Sequence, residues 1–399
     1  MAPSSPSPKR FRLIPTSGLA ITSFILGLLG VCGPGLGVVG VILGHAGLAK
    51  IREARGNLAG RGLAVMGLIF GYLGIAGWGT LVVIWGMAEV KTQKESRSLF
   101  RNADVPVPLF PQLPDFETLE PSGVRVTQIE LSAGSQPGHA MSFRVYLPKG
   151  EADPKSLPCV LVAPAGTNLL SGAGLELLDE NTYHDEALPY AEAGMAVVLY
   201  SIDGEDPEMA DGDEERVEEI RAAYHAFSGA GAGTVNGRNA LMFVRSRLPM
   251  VDPNRIYSAG HSSAATLSLL LAAHEPLLKG CVAYAPAVDL SEHFADLAPK
   301  PEAEFVYPGI QRFVVKSSPL THADKIRMPV FLFFAEDDTL ATLEGSRPFI
   351  DALSRMNASV KLRTVPTGGH YESMIEKGIP AGIDWIRSME QDLPPNRVE

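Results

Sequence analysis

Ile256-Tyr257-Ser258-Ala259-Gly260-His261-Ser262-Ser263-Ala264-Ala265 is the stretch whose reading decides the fold. An apolar run of strand character enters small-x-Ser-x-small and continues into a Leu- and Ala-rich segment, Ala264 to Ala273, of helical character. A strand that turns into a helix this abruptly leaves no space for side chains beside the turn. Gly260 and Ala264 meet that demand, and the turn lifts the Ser262 hydroxyl to the head of the helix. A serine that opens a helix can equally be a plain N-cap, so the rest of the chain must supply partners for it.

Downstream, Val330-Phe331-Leu332-Phe333-Phe334-Ala335 has the pattern of a buried strand and is followed by Glu336-Asp337-Asp338. Either aspartate is a candidate acid, and Asp338 is preferred because it stands three residues after the small Ala335. A further strand, ending Leu362-Arg363-Thr364-Val365, leads into Pro366-Thr367-Gly368-Gly369-His370-Tyr371, a histidine presented by a glycine loop. Among nine histidines only His370 has this setting, and His261, inside the turn, is expected to pack beneath it. Ser262, Asp338 and His370 thus follow the order Ser, Asp, His of a nucleophile, an orienting acid and a general base.

Other apolar runs, Val124 to Leu131, Ser142 to Leu147, Cys159 to Ala163, Ala196 to Tyr200 and Cys281 to Ala285, alternate with helical patterns after an antiparallel start. Gly134 to Gly138 reads as the first hairpin connection. This predicts an α/β domain over residues 122–392 with a short tail at 393–399, built on about eight strands in a mostly parallel sheet with helices on both faces.

The combination of Val251-Asp252-Pro253-Asn254-Arg255-Ile256, Gly260-His261-Ser262-Ser263-Ala264, Ala335-Glu336-Asp337-Asp338 and Gly368-Gly369-His370 resembles the α/β-hydrolase superfamily. The resemblance is to its dienelactone-hydrolase-like and prolyl-oligopeptidase-like serine hydrolases, over residues 122–392. It implies a Ser262 nucleophile, His370 as base and then acid, and Asp338 holding the imidazole. One oxyanion donor is expected to be the Ser263 N–H. The second is expected from the loop after Cys159 to Ala163, where the family's His-Gly is replaced by Pro164-Ala165-Gly166-Thr167, making Gly166 or Thr167 the candidate. Dienelactone hydrolases use a cysteine nucleophile, so their particular reaction is not implied. Prolyl oligopeptidases filter peptides with a propeller, which the roughly 120 residues before this unit do not provide. The expected activity is therefore hydrolysis of a small-molecule carboxylic ester, with an amide or peptide substrate as the alternative. A binding protein on an inactive hydrolase fold is the non-enzymatic alternative.

With 34 Lys and Arg against 45 Asp and Glu, the formal charge of −11 disfavours a nucleic-acid partner. The three cysteines lie far apart and no Gly-rich phosphate loop joins a strand to a helix, so neither a metal nor a nucleotide cofactor is expected. Two insertions stand out. Asp203 to Glu219 holds ten acidic residues against Arg216 alone, a solvated face or a cation-attracting loop. Asp289 to Lys325 carries Phe294, Phe305, Tyr307 and Phe313, either a lid or a helical excursion packed on the sheet.

The amino-terminal quarter is of another kind. Leu13 to Ala49 and Gly62 to Ala88 contain no Lys, Arg, Asp or Glu, and each exceeds the roughly 20 apolar residues that cross a bilayer. The first is too long for one straight span, and Gly33-Pro34-Gly35 is expected to kink or reverse it, giving Gly18 to Cys32 and Leu36 to Ala49. Gly18-Leu19-Ala20-Ile21 to Gly30 repeats as Gly62-Leu63-Ala64-Val65 to Gly74, displaced by 44 residues, and two similar halves read as a paired hairpin. Gly40 with Gly44 and Gly67 with Gly71 suit close helix approach.

The pattern Gly44-His45, Ile51-Arg52, Gly60-Arg61-Gly62-Leu63-Ala64 resembles a small two-helix bacterial membrane domain of unknown function and implies anchoring in a lipid bilayer. The expected organisation is a basic tail at 1–16, a transmembrane hairpin at 17–88 and a juxtamembrane and Pro-rich linker at 89–121. A cleaved signal peptide, with Lys9, Arg10 and Arg12 before the apolar run, is the alternative. If two spans place both chain ends on one side, Lys9, Arg10, Arg12, Lys91, Lys94, Arg97 and Arg101 there outnumber Lys50, Arg52, Arg55 and Arg61 in the loop. That count predicts a multi-pass cell-membrane protein with a cytoplasmic catalytic domain.

Overall fold

The computed structural model describes residues 14–31, 33–96, 105–131, 134, 136–175, 184–205 and 213–391. These fall into two compact units, within Met1–Glu95 and Ser96–Glu399.

The first unit is made of three helices, α1 (Gly18–Leu29), α2 (Pro34–Glu53) and α3 (Arg61–Ser96). Pro34 opens α2 at the position where its missing N–H costs nothing, so the chain reverses between Gly30 and Pro34. α1 and α2 run antiparallel with their glycines against each other: a Cβ on Gly40 would come within 2.6 Å of Gly27 N, and one on Gly30 within 2.4 Å of the Gly37 Cα. α3 packs by the same device, Gly67 against Ser23 and Gly74 against Gly30. Ser23 Oγ, buried among these helices, donates to the Gly40 carbonyl at 2.8 Å.

Two expectations change here. The expected hairpin of apolar helices is formed by α2 and α3, Gly37 facing Gly71 and Gly44 facing Leu68, but the repeated segments are not its arms: α1 and the start of α3 lie side by side in the same direction, because the Pro34 reversal inserts α2 between them. The start of α1 also does not lie beside the end of α3. Ser17 N donates to Ala59 O and Ala59 N to Pro15 O, both at 2.9 Å, which ties the start of α1 to the α2–α3 loop. α1, at 12 residues, is about 18 Å long and too short to span a bilayer. Gly35–Glu53 and Arg61–Val83 are long and apolar enough to do so. Their outward faces carry exposed Val38, Val39, Ile42, Ile69, Leu73 and Val82, the composition that lipid rather than water accommodates.

The second unit opens with residues 105–116, which form no helix or strand but pack down firmly. Phe110 is buried edge-on against Phe143 and Phe243, and Arg247 and Arg238 donate to the carbonyls of Pro111 and Val105 at 2.8 and 2.9 Å. The elements that follow are β1 (Glu117–Leu119), β2 (Val124–Glu130), β3 (Ser142–Leu147), β4 (Leu157–Val162), α4 (His184–Glu192), β5 (Ala196–Tyr200), α5 (Asp213–Gly229), α6 (Thr234–Arg247), β6 (Val251–His261) and α7 (Ser263–His274). Then come β7 (Gly280–Tyr284), α8 (Leu290–His293), α9 (Pro301–Val306), α10 (Ile310–Lys316), β8 (Val330–Ala335), α11 (Leu343–Met356), β9 (Val360–Val365) and α12 (Ile379–Gln391).

The nine strands form one sheet in the order β1-β2-β3-β5-β4-β6-β7-β8-β9. The first three join antiparallel, and every neighbour from β5 to β9 is parallel. Period-two alternation divides the core: Ala196, Val198 and Tyr200 of β5 face one cluster, Val197 and Leu199 the other. β8 does the same with Val330, Leu332 and Phe334 against Phe331 and Phe333. Strand order reverses about β4, whose successors β5 and β6 lie on opposite sides of it. In open sheets of this kind the crevice at the carboxyl ends of the strands near such a switch takes the ligand.

The segment 289–325 is a helical excursion rather than a free lid. Phe313 of α10 is buried in the core and Tyr307 packs edge-on against Tyr224 at 5.3 Å. Phe305 remains exposed beneath the Arg221 guanidinium, 4.6 Å away. Of the acidic insertion, residues 206–212 lie outside the described residues, and Asp213 onward is the first turn of α5. Its first member, Asp203, binds inward, accepting from Gly138 N at 2.6 Å and Asn236 Nδ2 at 2.7 Å.

Candidate active site

Ser262 follows the last residue of β6 and precedes the first of α7, with φ +55° and ψ −119°. A non-glycine residue in that region is held there by its surroundings. The hold is visible: Ser262 N donates to Tyr284 O of β7 at 2.9 Å, and its carbonyl accepts from Thr266 N at 3.1 Å. Gly260 is required on the inner side of the turn, since a Cβ there would meet the Ala264 carbonyl carbon and oxygen at 2.5 Å.

β8 and β9 bring the other two candidates together. His370 Nδ1 lies 2.7 Å from Asp338 Oδ2, and the acid side chain is wholly shielded from solvent while the imidazole keeps 17% of its surface. Asp338 Oδ1 accepts from Leu340 N at 2.8 Å and Ala341 N at 3.1 Å, so both carboxylate oxygens are engaged. Because a carboxylate only accepts, Nδ1 of His370 carries the hydrogen and Nε2 the lone pair. Asp337 does something the sequence did not suggest: its carboxylate accepts from Gly368 N at 3.1 Å and Gly369 N at 2.9 Å, pinning the glycine loop that presents His370.

The pair is tied to the serine turn through His261. Its Nε2 donates to the His370 carbonyl at 2.9 Å, and the two rings lie 4.5 Å apart. Burial, with the neighbouring His370, lowers the His261 pKa to about 4. Glu186 of α4 stands 4.0 Å from His261 Nδ1, and its own pKa rises to about 8 through burial and the adjacent Asp185. Both are therefore neutral at pH 7, and the contact is not an ion pair. Tyr371 hydroxyl donates to Asp185, closing the same side of the loop. Glu186, Asp185 and Asp337 carry no spacing signal; only the fold joins α4 to the histidine loop.

Of the three oxyanion candidates, Ser263 is the first residue of α7, where a backbone N–H has no partner within the helix. Thr167 N–H donates to Ser263 Oγ at 3.1 Å, which engages it. Gly166, at φ +80°, has no atom within 4 Å of where a Cβ would stand and so faces open space. A polar cavity of about 160 Å³ lies beside the acid loop, between Asp289, Glu292 and His293 on one side and Leu340 to Thr342 on the other. Among the described residues no group of three or more His, Cys, Asp or Glu is arranged to hold a metal ion.

A mostly parallel sheet with this strand order and a serine turn at the end of β6 is the α/β-hydrolase fold. Acetyl xylan esterase from Paenibacillus sp. R4 shares it, at 18% identity and TM-score 0.50, over 76% of this chain and 93% of that one. So does Pyrococcus horikoshii acylaminoacyl peptidase, at 15% identity and TM-score 0.50, over 71% of this chain and 43% of that one. A puromycin-hydrolyzing peptidase of Mycobacterium tuberculosis matches at 19% identity and TM-score 0.50, over 70% and 41%. The chain thus spans less than half the length of these two peptidases. Residues 238–389 match the prolyl oligopeptidase family, and residues 19–81 match a domain of unknown function, DUF4190. No curated protein matches the chain. The carboxyl-terminal unit thus has the α/β-hydrolase fold and contains the segment similar to the prolyl oligopeptidase family, and the amino-terminal unit contains the segment similar to DUF4190.

Proposed function

We propose that this chain is a membrane-anchored hydrolase of carboxylic esters that works through Ser262, His370 and Asp338. The observation that carries the reading is the strained backbone of Ser262 at the head of α7, tied through His261 to the His370–Asp338 pair. Ser262 Oγ adds to the ester carbonyl carbon while its proton passes to His370 Nε2. Asp338 holds the ring and stabilises the imidazolium. The carbonyl oxygen, now an anion, is met by the Ser263 N–H and, with Thr167 engaged, by the Gly166 N–H, each donor contributing about 2.7–4 kcal/mol to the transition state. Collapse breaks the bond to the alcohol, which leaves with the proton from His370. Water then adds to the acyl-enzyme with His370 as base, releasing the acid and restoring Ser262.

The prolyl oligopeptidase family match favours a second reading, in which the same groups cleave an amide. The ester reading draws on the acetyl xylan esterase, matched over nearly its whole length. Full-length protein in detergent, assayed with p-nitrophenyl acetate and with acyl and peptidyl p-nitroanilides, separates them: the esterase turns over the first alone, whereas anilide turnover establishes the peptidase.

Anchoring is assigned to α2 and α3. For orientation we take a different premise from the count that puts both chain ends on one side: α1 starts beside the α2–α3 loop. That loop and its flanks carry Lys50, Arg52, Arg55 and Arg61. The rule that basic residues stay in the cytoplasm supports a hydrolase unit on the opposite face.

A further inference from the structure

We infer that the acyl group of the substrate is short and uncharged, of acetyl size, and is seated in a small apolar cavity beside Ser263. The inference rests on the ester-hydrolase reading and deepens it.

The cavity is walled at one end by Thr167 and Ser263, the residues joined by the hydrogen bond at 3.1 Å beside the proposed oxyanion seat. Ser263 directly follows Ser262, and Thr167 directly follows Gly166, so this wall adjoins the proposed oxyanion seat and we place the acyl substituent against it. The remainder is lined by apolar side chains, chiefly Ile202, Phe227, Leu267 and Leu270, all buried. Two hydroxyls also reach it, and both have committed their hydrogens elsewhere: Thr266 Oγ1 to Ala287 O and Ser317 Oγ to Phe313 O, each at 2.8 Å. No charged side chain lines the space, so an acyl group bearing an ammonium or carboxylate would be stripped of water there without a counter-charge. The volume open to the centre of a water molecule is about 10 Å³, room for roughly one water. A methyl group matches that size, and each further methylene has to displace close-packed wall atoms.

The test measures kcat/KM of the full-length protein in detergent for p-nitrophenyl acetate, butyrate and octanoate, beside Phe227→Ala and Ile202→Val. The native protein should prefer acetate over butyrate by about tenfold or more, the discrimination a tight apolar pocket gives per added carbon segment. Phe227→Ala should shrink or reverse that ratio. Ile202→Val, which removes one methylene and keeps the core intact if the larger truncation does not fold, should shrink it a few-fold. Equal rates on all three esters, or ratios untouched by both variants, overturn the inference while leaving the esterase reading in place. Absence of turnover on every ester instead removes that reading, and the inference with it.

Discussion

Asp337 and Asp338 are neighbours with the same side chain and different duties, and the difference is measurable. Asp338 alone touches His370, and its replacement by Asn would lose the carboxylate that fixes the imidazole tautomer. Asp338→Asn is expected to lower kcat by about 10³-fold or more without unfolding the protein. Asp337→Asn keeps one acceptor for the Gly368 and Gly369 N–H groups and should cost about fivefold, the worth of a weakened hydrogen bond. Steady-state kinetics of the two variants check the assignment, and comparable losses would contradict it. Ser262, Asp338 and His370 were legible as candidates because each follows a strand at a spacing that turn geometry imposes. Glu186 was not, because its contact with His261 joins residues 75 positions apart in the chain, through packing alone.

The central strands were readable as elements, since a parallel strand buried on both faces is a continuous apolar run. Val330–Ala335 is such a run and is buried throughout. β1, with Glu117 and Thr118 exposed, has no such signature and forms only by pairing with β2. In the amino-terminal unit Pro34 announced a break, yet the parallel placement of α1 and α3 depends on glycine contacts that no single-helix pattern contains. The β6–α7 turn makes the sharpest prediction at this scale. Gly260→Ala would set a methyl against the Ala264 backbone, which cannot yield as a flexible side chain would. A loss of about 2 kcal/mol or more is expected, read as a lower Tm and as lost activity, and an unchanged Tm would show that the turn is looser than described.

At the scale of the whole molecule, buried titratable groups set the pH range of stability. Burial lowers His261, His274 and His322 from 6.5 to about 4. The unfolded chain takes up these protons first, so their contribution is fully present above pH 6.5 and is lost as pH falls toward 4. Glu186 has the opposite sign: raised from 4.5 to about 8, it holds its proton in the folded state, and its contribution is lost as pH climbs through that range. Tm plotted against pH should fall on both sides, with Glu186→Gln flattening the alkaline limb and His322→Gln the acid limb. The sidedness of the chain is testable in the same whole protein: an impermeant thiol reagent on intact cells should label a cysteine placed at Arg363, exposed on β9, and spare one placed at Arg55. The reverse pattern would restore a cytoplasmic hydrolase unit.

The claim on which everything else depends is that Ser262 is the nucleophile. Full-length protein in detergent, treated with an alkyl fluorophosphonate and mapped by mass spectrometry beside Ser262→Ala and His370→Ala, tests it directly. The account predicts one adduct, on Ser262, formed quickly in the native protein, much more slowly in His370→Ala, and not at all in Ser262→Ala. An adduct on another residue, or none in a folded protein, would contradict it.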